Sequence, residues 1–170
     1  MKKLMIIAVL MTLVLSTASA QRVYKQIYDA AYKIASDPKE DIDVRKLESF
    51  KVDAVTYLNT KTLSILSEQE KTLKPNEVAH LNNQLDSMAY FMYDYVNLFS
   101  KEYGKAKNDK QRKQVVEMFR YVSINTPLYN DPDKEMVLSY YNREDYLTRF
   151  SLDTNWVLAD LIIKDMLKDK

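Results

Sequence analysis

Cysteine is absent from the 170 residues of this chain. No disulfide framework can therefore stabilise the fold, and a hydrophobic core has to do so instead. A chain of this size buries roughly 70% of its unfolded surface, which is enough for such a core. The absence also removes every thiol that a lipid could modify, so we expect a protein without a lipid anchor.

Glycine is almost absent too, with Gly104 as the single example. Tight β-hairpin turns favour residues with positive φ, so this composition argues against a β-sandwich or barrel. Glycine-rich phosphate loops, the dinucleotide-binding fingerprint and the Gly-x-Ser-x-Gly nucleophile motif are excluded as well. Few glycines and prolines beside abundant Leu, Lys, Glu, Asp and Ala favour helices.

An excess of charge of either sign is also missing. Lys and Arg total 25 and Asp and Glu total 24, and without the two lysines of residues 1–3 the balance is 23 against 24. Proteins that bind nucleic acid through bulk electrostatics carry a marked basic excess. We therefore expect no nucleic-acid partner.

The one long apolar run lies within the first twenty residues. Residues 1–3 form a short basic start, residues 4–15 are apolar except for Thr12, and residues 16–20 are small and end in an A-x-A site. This pattern is typical of a cleaved secretory signal peptide, and its apolar run is too short to span a bilayer. We therefore predict a signal peptide over residues 1–20, no transmembrane segment, and a soluble protein exported to the periplasm or outside the cell.

Apolar residues recur at helical spacing through most of the remaining chain. Residues 21–170 have the length of one domain, and short polar or proline-containing links separate the periodic stretches. The sequence therefore predicts an all-α fold, a single-domain bundle of five to six helices. The expected helices cover about 23–35, 41–72, from the break at 74–76 to 104, 109–125, 134–141, and from near 153 to the end of the chain.

The third of these helices has the clearest pattern. Its apolar residues are three or four positions apart, as in a heptad seam, and from Met88 to Phe99 they lie on nearly every face. We expect this helix at the centre of the fold, ending with Gly104 as its C′ residue. The same seam offers a surface for self-association, so a homo-oligomer is an alternative. The seam comprises Val78, Leu81, Leu85, Met88, Met92, Tyr95 and Phe99.

His80 is the only histidine available for catalysis or metal binding. It is separated from Met88 and Met92 by multiples of four residues, and thioethers with an imidazole can hold monovalent copper. Flexible methionines on an apolar seam more often fill gaps in a core, which is the interpretation we favour.

Asp131, Asp133 and Glu135 alternate along the chain and carry the oxygen atoms that calcium prefers. A calcium loop of the EF-hand type requires a glycine and a longer spacing, and this segment has neither. A proline-containing turn with acidic N-cap residues explains the pattern without an ion. We therefore predict neither a metal nor a cofactor.

Basic residues gather between Lys101 and Lys113, with only Glu102 and Asp109 to oppose them. Such a stretch can meet an acidic partner or membrane headgroups. A solvated link between two helices explains it as well, and we favour that interpretation. Few aromatic residues are interleaved, which argues against a nucleic-acid surface.

The 13 tyrosines are the best indication of function, and all follow the predicted signal peptide. Several lie in residues 127–153, the least periodic part of the chain, which we term the Tyr-rich segment. Tyr and Arg are enriched at binding hot spots because they add large contact area with a polar end. Tyrosines at the edge of a thin core, with their hydroxyls in water, are the alternative. The predicted binding residues are Tyr129, Tyr140, Tyr141, Arg143, Tyr146 and Arg149.

These patterns favour a non-enzymatic, exported helical protein that binds a protein or a cell-envelope component, in a chaperone- or inhibitor-like role. The alternative from another class is a small hydrolase acting on envelope or dietary glycans. Paired carboxylates perform glycoside hydrolysis, and Glu144, Asp145 and Asp153 are available for it. Nothing in their spacing selects them.

Overall fold

The computed structural model describes residues 22–69, 72–140 and 147–168. Within these ranges the chain is all-helical and has no strand, and one isolated bridge joins Pro127 to Thr154. The predicted signal peptide and three predicted binding residues, Tyr141, Arg143 and Tyr146, lie outside the described residues. The described helices are α1 (Val23–Ser36), α2 (Ile42–Glu68), α3 (Pro75–Lys105), α4 (Asp109–Ile124), α5 (Lys134–Val137) and α6 (Trp156–Lys168).

Short polar side chains begin several of these helices. The Asp41 carboxylate accepts the backbone N–H of Asp43 at the start of α2, and the Asn108 side chain accepts that of Gln111 at the start of α4. At the start of α3, Pro75 needs no N–H partner and Glu77 accepts the backbone N–H of Lys74 at 2.6 Å. Such caps satisfy donors that the first helical turn leaves without a partner.

The predicted end of α3 at Gly104 was wrong. The helix continues through Gly104 to Lys105, and Gly104 does not have a positive φ. Ala106 ends the helix in an extended conformation, and its backbone N–H donates to the carbonyl of Tyr103. A single glycine in a last turn costs only about 1 kcal/mol relative to alanine, so the neighbouring helix formers carry the helix past it.

Helix α3 packs against α1, α2, α4 and α6, and α2 and α6 also contact α1 and α4 respectively. Its seam lies inside the chain, because Leu85, Met88, Met92, Tyr95 and Phe99 are all buried. This position follows from a helix that is apolar on nearly every face. The buried part of the seam therefore stabilises the chain's own core, and self-association through the seam stays a prediction.

The centre of the core is aromatic. Phe150 of the Tyr-rich segment and Trp156 of α6 are fully buried against rings of α2 and α3. Phe150 meets Phe99 edge-on at 5.2 Å between ring centroids, and Trp156 meets Tyr95 at 5.5 Å. Edge-to-face pairs of this kind add to the stability that burial supplies. Among the described residues, no helix has the length and apolar character required to cross a bilayer.

Candidate functional site

Residues 128–131 of the Tyr-rich segment are held in place by the carboxylate of Asp153, which is 2% exposed. The backbone N–H groups of Tyr129 and Asp131 donate to it at 2.8 Å, and that of Leu128 donates at 3.2 Å. Three N–H donors on one buried carboxylate fix a loop that has no regular ladder of its own. Asp153, a candidate for glycan hydrolysis by sequence, therefore has a structural role.

A buried hydroxyl cluster joins the same segment to α4. The Ser123 and Thr154 hydroxyls lie 2.7 Å apart, and the Ser123 hydroxyl accepts the backbone N–H of Ser151 at 2.9 Å. The Thr154 hydroxyl also donates to the carbonyl of Ser151 at 2.7 Å. Because these groups are buried and mutually satisfied, they determine the path of the chain into α6.

Asp131 forms a second buried anchor, 3% exposed, between the segment and α2. Its carboxylate accepts the Tyr57 hydroxyl at 3.0 Å and contacts the Lys61 ammonium at 2.5 Å. The hydrogen bond and charge of Lys61 hold the pKa of Asp131 below its usual range. Burial, reinforced by the negative charges of Asp153 and Asp131, raises the pKa of Tyr57.

Two of the three alternating acids at 131–135 have structural partners. The Asp131 carboxylate is held by Tyr57 and Lys61, and the Asp133 carboxylate caps α5 by accepting the Met136 N–H at 2.9 Å. In the described part of the chain, no group of three or more acidic or histidine side chains is arranged to hold a metal ion. Met92 is fully buried whereas His80 is exposed, as expected for a core methionine and a surface histidine.

The three predicted binding residues that the structure describes, Tyr129, Tyr140 and Arg149, have different surroundings. Tyr129 is half-buried with its ring 6.1 Å from that of Tyr57, and Tyr140 is only 7% exposed. The Tyr140 hydroxyl donates to the Asp53 carboxylate, and its ring packs edge-on against Phe50 at 5.0 Å. Asp53 and Phe50 thus hold Tyr140 largely inside the protein. Its role in binding stays a prediction.

One cleft, termed the Tyr140 cleft, separates α2 from the Tyr-rich segment. Its volume is about 430 Å³, and its walls combine hydroxyl groups with the apolar surfaces of Met136 and Leu152. Three polar positions, Asp53, Tyr57 and Lys61, follow one another at intervals of four along α2. The lining residues are Asp53, Thr56, Tyr57, Thr60, Lys61, Ser64, Met136, Ser139, Tyr140 and Leu152.

Arg149 lies in a different cleft, termed the Arg149 cleft, between the end of α3, the first half of α4 and residues 147–149. Its volume is about 390 Å³ and its lining combines an apolar floor with both signs of charge. Arg149 itself is half-buried. The lining residues are Tyr103, Asp109, Arg112, Lys113, Val116, Glu117, Leu147 and Arg149.

The α2 wall of the Tyr140 cleft was not predicted from sequence. Asp53, Tyr57 and Lys61 share a face because residues four apart lie one turn above another. That spacing was legible in the sequence, but nothing local showed that Tyr140 would reach Asp53 across 87 positions. Arg112 and Lys113 belong to the basic stretch that we interpreted as a solvated link.

Comparison of the chain with protein-family models, with curated proteins and with solved structures gave no match.

Proposed function

We propose that this protein is an exported, non-enzymatic binding protein whose partner is a protein or a cell-envelope component. The three-part signal pattern of residues 1–20 supports export. The partner contacts the Tyr140 cleft and the Arg149 cleft, on the two sides of the Tyr-rich segment. Both clefts are open grooves with apolar floors and polar edges, as binding surfaces commonly are.

The observation that carries this proposal is the anchoring of residues 128–131 of the Tyr-rich segment. Asp153 gathers three backbone N–H groups, and Asp131 joins the segment to Tyr57 and Lys61. A loop ordered before binding pays little conformational entropy when a partner arrives. An internal network of this kind around two open clefts favours recognition by a preformed surface.

The alternative, a glycan hydrolase, is less well supported by the same side chains. Asp153 is buried and engaged by three N–H donors, so it cannot approach a glycosidic oxygen. Lys61 lowers the pKa of Asp131, whereas a general acid for glycoside cleavage needs a raised pKa. The other two candidates, Glu144 and Asp145, lie outside the described residues.

The proposal is tested by affinity capture with the protein produced from its full-length gene. Tagged protein is incubated with envelope and secreted fractions of its host, and captured partners are identified by mass spectrometry. A Thr60→Lys variant places a long cation in the Tyr140 cleft, and Asn83→Lys adds the same charge at an exposed position of α3 outside both clefts.

We expect one partner in stoichiometric amount with the wild type and Asn83→Lys, and a reduced amount with Thr60→Lys. The recovered protein should begin at Gln21. A full-length N-terminus, or a partner captured equally by all three proteins, would contradict the proposal. Release of reducing sugars from envelope glycans by the wild type would favour the hydrolase instead.

A further inference from the structure

The two carboxylates of the Arg149 cleft already have cationic neighbours. Asp109 contacts the Arg112 guanidinium at 3.5 Å, and Glu117 contacts the Arg120 guanidinium at 2.8 Å. Both pairs join residues three apart on α4 and are exposed to water. Such pairs contribute little stability but keep the negative charges at the rim locally balanced.

Lys113 and Arg149 are the two cations of the cleft lining that form no such ion pair among the described residues. In the described part of the chain, no carboxylate lies within ion-pair distance of either side chain. Arg149 is half-buried, so part of its hydration is already lost in the free protein. A planar guanidinium in this position gains from a carboxylate, which it can bind with two parallel hydrogen bonds.

Apolar surface lies directly beside these cations. Val116 and Leu147 line the cleft, and the ring of Tyr103 forms part of its wall, with the Arg112 guanidinium 5.8 Å from the ring centroid. All three side chains are half-buried, so each retains surface that a ligand can cover. The cleft thus places apolar surface next to two cations that have no carboxylate partner among the described residues.

We propose that the Arg149 cleft binds a short segment of a partner protein in which an Asp or Glu side chain lies next to a large apolar side chain. Arg149 and Lys113 take the carboxylate, and Tyr103, Val116 and Leu147 cover the apolar side chain. This inference rests on the proposed function and adds the chemistry of the partner.

The two carboxylates of the Arg149 cleft favour a peptide over a membrane surface as its ligand. Asp109 and Glu117 border the cleft, and a layer of anionic headgroups or a polyanion would meet them as well as the cations. Like charges brought together at an interface oppose binding, whereas one carboxylate fits between them. The small volume, about 390 Å³, also suits one or two side chains better than a long acyl chain, most of which would remain in water.

The test is an NMR titration of the isotope-labelled protein, produced from its full-length gene, with three blocked pentapeptides. The first has Glu-Leu at its centre, the second Gln-Leu and the third Glu-Ser. We expect the Glu-Leu peptide to shift the amide signals of residues 112–117 and 147–149, with a millimolar dissociation constant. The Gln-Leu and Glu-Ser peptides should each bind about threefold more weakly, the effect of one exposed charge pair or a partly covered side chain.

Variants of the two cations complete the experiment. Arg149→Gln and Lys113→Gln should each weaken the Glu-Leu peptide about threefold, and together about tenfold, while raising the ionic strength weakens the wild type. Lys113 is on the exposed face of α4, so its variant keeps the test valid even if Arg149→Gln folds poorly. Lys33→Gln removes the same charge from exposed α1 and should change nothing.

Equal binding of the Glu-Leu and Gln-Leu peptides, or no shift at residues 112–117 and 147–149 at millimolar peptide, would overturn the inference. So would binding of decanoate at these residues without binding of the peptide, which would indicate a lipid-like ligand. A partner that Thr60→Lys loses and Arg149→Gln retains would leave the proposed function intact and contradict only this assignment.

Discussion

Among single residues, Asp153 fixes the backbone of a loop that contains no strand. It lies one position before the bridged Thr154, yet its carboxylate gathers three N–H donors from residues 128–131. Buried polar groups of the backbone require such partners, and a loop without strands must find them in side chains. The path of residues 128–131 therefore depends on a carboxylate that is itself buried.

We predict that Asp153→Asn lowers the free energy of unfolding by about 2–3 kcal/mol. The amide has nearly the same shape, but it loses the charge and turns one acceptor into a donor that faces N–H groups. Urea unfolding followed by circular dichroism measures the change. Asp165→Asn, at a side chain that is 79% exposed, should stay within about 0.5 kcal/mol of the wild type.

Asp131 should make stability depend on pH. Lys61 and the other partners hold the pKa of Asp131 below its usual range, so the folded state releases its proton more readily than the unfolded chain. The resulting stability is fully present above about pH 5 and is lost as pH falls through the folded pKa. The difference in unfolding free energy between wild type and Asp131→Asn should therefore shrink on acidification.

A series of urea unfolding curves at decreasing pH measures this difference. Lys61→Met removes the main cause of the lowered pKa, so the slope of stability against pH should become flatter in that background. A difference between wild type and Asp131→Asn that stays constant over the acid range would show that the Lys61–Asp131 contact does not operate in solution.

At the scale of elements, the helices are set by local rules except where they end. Asp41 and Asn108 are typical N-caps, and Pro75 is placed where its missing N–H is harmless. The predicted C-terminal ends of two helices agree less well with the structure. Helix α2 ends at Glu68 rather than near 72, and α5 ends at Val137 rather than near 141.

A substitution at Gly104 tests where α3 ends. It lies inside α3 without a positive φ, and apart from its chain neighbours and the helix's own backbone no atom of the described residues lies within 4 Å of the position that a Cβ would take. We predict that Gly104→Ala raises the free energy of unfolding by about 0.5–1 kcal/mol, because it lowers the entropy of the unfolded chain at no steric cost. A C′ glycine in the left-handed region would instead lose stability on this change, and thermal unfolding distinguishes the two signs.

At the scale of the whole molecule, residues from distant parts of the sequence share one core. Phe50 of α2, Tyr95 of α3 and Trp156 of α6 lie in the same buried cluster as Phe150 of the Tyr-rich segment. Loss of one helix would expose rings that the others cover, so separate unfolding of single helices is unfavourable. A single domain over residues 21–170, which the length of the chain predicts, implies one transition.

We therefore predict coincident unfolding by two probes. Trp156 is the only tryptophan and is fully buried, so its fluorescence reports on the core, while far-UV circular dichroism reports on all helices. The two curves should share one midpoint in urea, as a two-state transition requires. An earlier circular dichroism transition without a change in fluorescence would indicate that α1 unfolds as a separate unit, because unfolding of α2 would also remove Phe50 from beside Trp156.

The helical class of this protein was determined by sequence alone. One glycine, few prolines and a steady three-to-four spacing leave helices as the only regular structure that buries the apolar residues. The central position of α3 followed in the same way, from a helix apolar on nearly every face. These are local properties, because each depends on residues within a few turns of one another.

Only the tertiary structure decided where the described side chains of the Tyr-rich segment lie. The Tyr140 hydroxyl binds Asp53, the Asp153 carboxylate accepts backbone N–H groups, and Arg149 lines a cleft with no carboxylate of the described chain within ion-pair distance. The composition of the segment is the same for an exposed hot spot and for an anchored loop. The difference is made by partners 22 to 87 positions away, and such contacts depend on how helices pack rather than on local pattern.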